Sequence, residues 1–185
     1  MIARHVILTG FLMLATAPRE LLAEKSGLET YGDVAAYAIP SAAGVVTVLR
    51  DTGPDWDGLL QFGTSGGLTF GIVQGLKHGT DRERPNGEDD KSFPSSHTST
   101  AFSGASYLHY RYGWQYGTPA YIAAAAVGAS RVDADKHFVG DVIAGAAIAN
   151  LTAFFLVDSI DQNVVIIPVI NAKKHNFGLL ASFRF

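Results

Sequence analysis

Between Val34 and Val157 the chain is a series of apolar stretches broken by short polar segments, and that spacing constrains the fold more than any other feature. The stretches run from Val34 to Leu49, Trp56 to about Lys77, Phe93 to about Tyr112, Pro119 to Gly128, and His137 to about Val157. Most are too long for strands, and the boundaries carry helix signals. Asp33 reads as the cap of the first helix, and Pro94 with Ser95 and Ser96 opens the third. Pro40 is expected to kink the first helix. Asp51–Asp55 and Gly113–Thr118 read as turns. The second stretch holds Gly58, Gly63, Gly66, Gly67, Gly71 and Gly75. Glycine weakens a helix, so its abundance suggests close helix–helix contact there. The fold class expected is all-α, an up-and-down bundle of about five to six helices.

The two ends differ from this bundle. Residues 1–23 read as a signal peptide or N-terminal anchor: Arg4, then an apolar run from Val6 to Leu14, then Ala15-Thr16-Ala17. Pro18 disfavours cleavage after Ala17, leaving cleavage after Ala23 or an uncleaved anchor. Residues 28–160 form the helical bundle. In residues 161–185, Val164 to Ile170 is β-branched and Phe177 to Phe185 alternates, the pattern of a short C-terminal β-hairpin.

Composition narrows the function. The 185 residues carry a net charge of −3 and no basic run, so nucleic acid is not an expected partner. Without cysteine there is no thiolate catalysis, disulfide or zinc–cysteine site. Hydrophobic residues make up 48 % at a mean hydropathy of +0.17, between a soluble enzyme and a bundle wholly embedded in lipid. Clean apolar runs favour membrane association, with a soluble periplasmic bundle as the alternative.

Three polar clusters interrupt the apolar pattern. The first is Lys77, six residues, then Arg84-Pro85; the second is Pro94-Ser95-Ser96-His97. The third is Ser130-Arg131, five residues, His137, three residues, Asp141. With His137 near a helix start, Asp141 one turn on shares its face, and the carboxylate is in reach of the imidazole. An imidazole held at one nitrogen offers the other as a base or nucleophile. Arg131 presents a planar fork suited to phosphate oxygens. A lone His-x-x-x-Asp is more often a packing pair. Helix parity makes the clusters more informative: Lys77 ends one helix, His97 begins the next, and one further return brings the chain to Arg131 and His137. All three fall at one end of the bundle.

Together the clusters resemble the type 2 phosphatidic acid phosphatase superfamily, which also holds bacterial class A acid phosphatases and vanadium haloperoxidases. The resemblance spans roughly residues 30 to 157. It departs at Ser96, where the family usually has glycine; serine keeps the backbone N–H that would meet phosphate. The resemblance implies a metal-independent phosphatase without cofactor, forming a phosphohistidine. His137 would be the nucleophile, Asp141 its orienting partner, and His97 the acid for the departing alkoxide. Lys77, Arg84 and Arg131 would bind the phosphoryl oxygens, with Ser95 and the N–H groups of Ser96 and His97 adding hydrogen bonds. The implied partner is a phosphorylated lipid or small phosphate ester, met at the periplasmic face of a bacterial inner membrane. A vanadate-dependent haloperoxidase shares the motifs in usually much longer chains. A catalytically silent phosphate-binding membrane protein is the reading from another class.

Overall fold

The structure is a computed structural model that describes residues 26–49 and 53–160, together with the backbone of residues 164–171 and 176–183. It contains five helices in its helical region: α1 (Gly27–Val48), α2 (Trp56–Gly79), α3 (Ser96–Tyr112), α4 (Trp114–Asp133) and α5 (Val139–Leu156). The all-helical expectation holds for this region. A sixth helix in residues 1–23 would lie outside the described residues.

Helix α3 is the centre of the bundle and packs against each of the other four. Its sequence, with alanine, serine and glycine at most inward positions, explains why. Ala101, Ala105 and Ser106 are fully buried, and the facing positions Ala36, Ala43, Ala124 and Ala149 are as well. Small side chains let helix axes approach closely, so contact comes from backbone proximity and not from large interlocking side chains. Gly104 is the tightest crossing. A Cβ there would lie 2.6 Å from the Pro40 Cα, so α1 and α3 touch backbone to backbone. Helix α1 runs unbroken through Pro40.

The large apolar side chains point the other way. Leu60, Phe70, Ile122, Ile143 and Phe155 are each more than 60 % exposed, on helices α2, α4 and α5. A core of alanine beneath a coat of leucine, isoleucine and phenylalanine inverts the usual arrangement of a water-soluble domain. Among the described residues, α5 is the one helix long and apolar enough to cross a membrane by length and composition.

Several boundaries differ from the sequence reading, each for a local reason. Ser26, not Asp33, caps α1: its hydroxyl accepts from the Glu29 N–H, and Asp33 sits well inside the helix. Gly113 turns the chain at φ +88°, so α4 begins at Trp114 and takes in Pro119. A turn of several residues was unnecessary because glycine reaches that conformation without cost to a side chain. The glycines of α2 do not mark a close crossing: a Cβ at Gly63, Gly66, Gly67, Gly71 or Gly75 would meet nothing within 4 Å. They lie on open surface, and only Gly58 of that helix is tight, against Asp55 and the Tyr107 hydroxyl.

At the end of the bundle remote from the three motifs, Asp55 caps α2 and joins it to α3. Its carboxylate accepts from Arg111 Nη2 at 2.7 Å and Nε at 2.8 Å, a two-pronged pair, and from the Tyr112 hydroxyl at 3.0 Å.

The glycine positions separate by experiment. Gly104→Ala is expected to destabilise the protein by about 1–3 kcal/mol, because the methyl has backbone in its way. Gly63→Ala is expected to be neutral or to stabilise by up to about 1 kcal/mol. Thermal unfolding of both variants under identical conditions checks the contrast.

Candidate active site

The three motifs meet at one end of the bundle, as helix parity requires. Helix α2 arrives there with Lys77, α3 departs with Ser96 and His97, α4 arrives with Arg131, and α5 departs just after His137. A cavity of about 260 Å³ opens between these ends, lined by Lys77, Arg84, Ser96, His97, Arg131 and His137, with Gln74 and Lys136 completing the wall.

The loop after α4 fixes His137. Asp135 takes φ +52°, a conformation that Asp tolerates better than most side chains. This folds the chain back so that the N–H groups of Lys136 and His137 both donate to the Arg131 carbonyl, at 3.1 and 3.2 Å. His137 therefore precedes α5 and does not begin it; Phe138 is the cap, and Asp141 is in the first turn.

That shift changes the partner of the imidazole. His137 Nδ1 lies 2.7 Å from the Ser92 backbone carbonyl, which accepts its proton. Asp141 Oδ2 is 3.9 Å from the same nitrogen, beyond hydrogen-bond reach. The carboxylate instead accepts from the Ser92 hydroxyl at 2.5 Å and from the Phe138 N–H at 3.0 Å. Arg82 Nη1 stands 2.8 Å from the other oxygen, Oδ1. Asp141 thus reaches His137 by way of Ser92. Sequence spacing placed the pair on one helical face, but the histidine lies outside the helix, so the i, i+4 geometry does not apply.

With Nδ1 committed as a donor, Nε2 is the acceptor nitrogen and faces the cavity wall made by Arg84, whose Nη1 is 3.4 Å away. His137 is 3 % exposed. Burial, followed by the positive charges of Arg84 and Lys77, pushes its pKa down to about 4. The imidazole is held neutral at ordinary pH, the form that carries a lone pair.

The cations are held as firmly as the histidine. Arg84 Nε donates to Asp89 Oδ1 at 2.6 Å and its Nη1 donates to the Lys136 carbonyl at 3.2 Å. Lys77 Nζ donates to the Lys91 carbonyl at 2.5 Å. Arg131 is fully enclosed: Nε donates to Ser130 Oγ, Nη1 to Asp33 Oδ1 at 2.7 Å, and Nη2 to the Glu29 carbonyl at 2.8 Å. Lys136 Nζ lies 3.3 Å from a Glu88 oxygen and 3.7 Å from a Glu29 oxygen.

Ser95 is placed apart from the other motif residues. It is buried, does not line the cavity, and its hydroxyl accepts from the N–H and the hydroxyl of Thr98 as the cap of α3. Ser96, by contrast, is at the cavity wall, where the first N–H groups of a helix lack intrahelical partners. A Cβ at Gly145 would sit 2.6 Å from the Ser95 carbonyl, so glycine lets α5 press against this helix start.

Five polar residues at the site escaped the sequence reading: Asp33, Gln74, Arg82, Ser92 and Lys136. Asp33 has a visible signal, as an acid one residue ahead of an apolar helical run, but that signal reads equally as a helix cap. Ser92 and Arg82 had none beyond their place in the polar loop, because their partners are remote in sequence.

The charge state of His137 supplies a direct check. Its folded pKa lies below the unfolded value, so the unfolded chain binds more protons between about pH 4 and about pH 6.5. Its contribution to stability is intact above that window and declines as the pH falls through it. NMR titration of His137 is expected to give a midpoint near 4, and Arg84→Gln is expected to raise it by removing a nearby cation. A midpoint at the ordinary histidine value would show that the imidazole is not held as described.

Known proteins resemble this chain in sequence and in fold. The sequence profile of the PAP2 superfamily matches residues 58–164, more than half of the chain. The chain is 39 % identical over 88 residues to the lipid A 1-phosphatase of Porphyromonas gingivalis, which covers 45 % of this chain and 20 % of that protein. It is 31 % identical over 133 residues to the lipid A 4'-phosphatase of Helicobacter pylori, covering 66 % of this chain and 65 % of that protein. The chain thus spans one fifth of the length of the first relative and just under two thirds of the second. Two solved structures share the fold. Aquifex aeolicus LpxE superposes with a TM-score of 0.58 at 21 % identity, over 72 % of this chain and 87 % of that one. A transmembrane PAP2-type phosphatidylglycerolphosphate phosphatase from Bacillus subtilis gives 0.55 at 24 % identity, over 73 % and 77 %. The three motifs, their convergence at one end of a five-helix bundle and the matching profile lead to one assignment: this chain belongs to the PAP2 superfamily.

Proposed function

We propose that the chain is a phosphatase of lipid-linked phosphate esters that works through a phosphohistidine on His137. The observation that carries the proposal is the arrangement around that imidazole: Nδ1 is tied to the Ser92 carbonyl, and Nε2 faces a cavity walled by Lys77, Arg84, Arg131 and Lys136.

In this mechanism a phosphomonoester enters with its oxygens toward the cations. The Nε2 lone pair of His137 forms an N–P bond as the P–O bond to the alcohol breaks. The electron pair leaves on the ester oxygen, which takes a proton from His97. Negative charge on the three equatorial oxygens is balanced by Lys77, Arg84 and Arg131, and the N–H groups of Ser96 and His97 add donors. Water, deprotonated by His97, then attacks phosphorus and breaks the N–P bond, releasing inorganic phosphate and restoring neutral His137. Asp141 acts on His137 by fixing Ser92. Ser95 contributes by capping α3 and so aiming the Ser96 and His97 N–H groups. Fixed side-chain cations supply the charge that a metal ion would otherwise bring, so the reaction is assigned without metal or cofactor.

The lipid substrate is favoured by two observations. The curated relatives are lipid A phosphatases by name. The bundle also wears its large apolar side chains outward. Helices of 18 to 24 residues extend about 27–36 Å, comparable with a hydrocarbon core of about 30 Å. The proposed setting is the inner membrane with the site facing the periplasm, residues 1–23 acting as export segment or anchor and 28–160 as the catalytic bundle. The tail at 161–185 is assigned as a hairpin, a reading supported by the antiparallel backbones of Val164–Asn171 and Asn176–Phe183.

Phosphate release from p-nitrophenyl phosphate, phosphatidic acid and lipid A with EDTA present tests the proposal. Wild-type turnover is expected to survive EDTA. His137→Ala is expected to lower kcat by about 10⁴-fold or more, the scale of losing a covalent nucleophile. Bromide oxidation on adding vanadate and peroxide, with no phosphate release, would favour haloperoxidase chemistry instead.

A further inference from the structure

We propose that Asp33, on helix α1, is a positioning residue that keeps His97 protonated inside a cavity of cations. The inference rests on the phosphatase reading of the site and adds a residue to it from a helix that lies ahead of the family-matched segment, which begins at residue 58.

The two histidines of this cavity have opposite tasks. His137 must be neutral to attack, whereas His97 must carry a proton to give one away. Both face the same charges: Lys77 from α2, Arg84 from the loop after it, Arg131 from α4 and Lys136 from the segment before α5. Four cations disfavour a fifth, and an imidazole left alone among them loses its proton. His137 is held neutral first by its burial and then by Arg84 and Lys77, and its carboxylate neighbour Asp141 is drawn off to Ser92, Phe138 and Arg82.

His97 is placed differently. Asp33 Oδ1 lies 3.5 Å from its Nε2, a charge contact that favours the imidazolium. The same oxygen accepts from Arg131 Nη1 at 2.7 Å, which fixes the carboxylate in place. One turn further along α1, the Tyr37 ring meets the His97 ring edge-on with centroids 5.9 Å apart. One turn back, the Glu29 carbonyl accepts from Arg131 Nη2. Residues 29, 33 and 37 share a helical face, so α1 forms a wall of the site that holds Arg131 and His97 together. Environments that push two titratable groups apart are how a site divides acid from base.

The chemistry predicts where the loss appears. An alkoxide is a poor leaving group and needs the His97 proton as the P–O bond breaks; p-nitrophenolate departs as a stable anion and needs it far less. The full chain, as wild type, Asp33→Asn and Asp33→Glu, is assayed on p-nitrophenyl phosphate and on an alkyl phosphate across pH. With Asp33→Asn, kcat on the alkyl phosphate is expected to fall about tenfold further than kcat on the aryl ester. Its alkaline limb is expected to move to lower pH, and Asp33→Glu to recover part of both. Equal losses on the two substrates with an unmoved limb would overturn the proposal and leave Asp33 as a brace for Arg131. Should Asp33→Asn fail to fold, the ¹⁵N shifts of the wild-type histidines decide: His97 is expected to be protonated at a pH where His137 is neutral, and a neutral His97 there overturns the inference. Absence of hydrolysis by the wild type would sink the phosphatase reading instead, and the charge state of His97 would then judge this proposal alone.

Discussion

Like charges gathered in one place repel, and the organisation of this molecule follows from how that repulsion is offset. Lys77, Arg84, Arg131 and Lys136 converge on a cavity of about 260 Å³ with Arg82 close behind. Each except Lys77 is held by a carboxylate: Arg131 by Asp33, Arg84 by Asp89, Arg82 by Asp141, and Lys136 by Glu88 and Glu29. Lys77 is held by a carbonyl. These partners come from α1, from the loop between α2 and α3, and from the first turn of α5. The charge balance therefore ties these elements together at the cavity, and it leaves the cationic faces preorganised for an anion. Preorganisation matters because charges already in place need no rearrangement when negative charge develops.

The rest of the bundle serves to bring helix ends to that cavity. Helix α3 carries small side chains on the positions that meet its neighbours, so four helices pack around it at close range. Gly104 against Pro40 and Gly145 against the Ser95 carbonyl set the depth at which α1 and α5 sit. Those contacts place Asp33 beside His97 on one side and Asp141 beside Ser92 on the other. The apolar bulk displaced from the interior covers the outside. Stability, the apolar exterior and site geometry thus draw on different residues of the same helices.

Much of the site was legible in the amino-acid order because its chemistry sits in three compact motifs at helix ends. His97, His137, Lys77, Arg84, Ser96 and Arg131 line one cavity, as motif spacing and parity imply. Ser95 and Asp141 contribute from behind it, through a cap and through Ser92. The glycines of α2 misled for a physical reason: a glycine permits close approach but does not cause it, and here the neighbouring helix is elsewhere. Asp33 misled because an acid ahead of an apolar run is a good cap, yet Ser26-Gly27-Leu28-Glu29, seven residues earlier, carries the Ser-x-x-Glu pattern of a helix start and is the one the structure uses.

By itself the sequence determined the helix count of the described bundle, the direction of each helix and the end at which the motifs gather. Those properties follow from hydrophobic periodicity and chain reversal, which are local. Tertiary structure decided which group holds which. The Ser92 carbonyl, and not Asp141, accepts the hydrogen bond from His137 Nδ1 because the chain turns at Asp135 before α5 begins. Asp33 reaches His97 and Arg131 because α1 and α4 cross where side chains are small. Hydrogen bonds and ion pairs between residues 45 to 98 positions apart depend on how helices pack, and no local pattern encodes that.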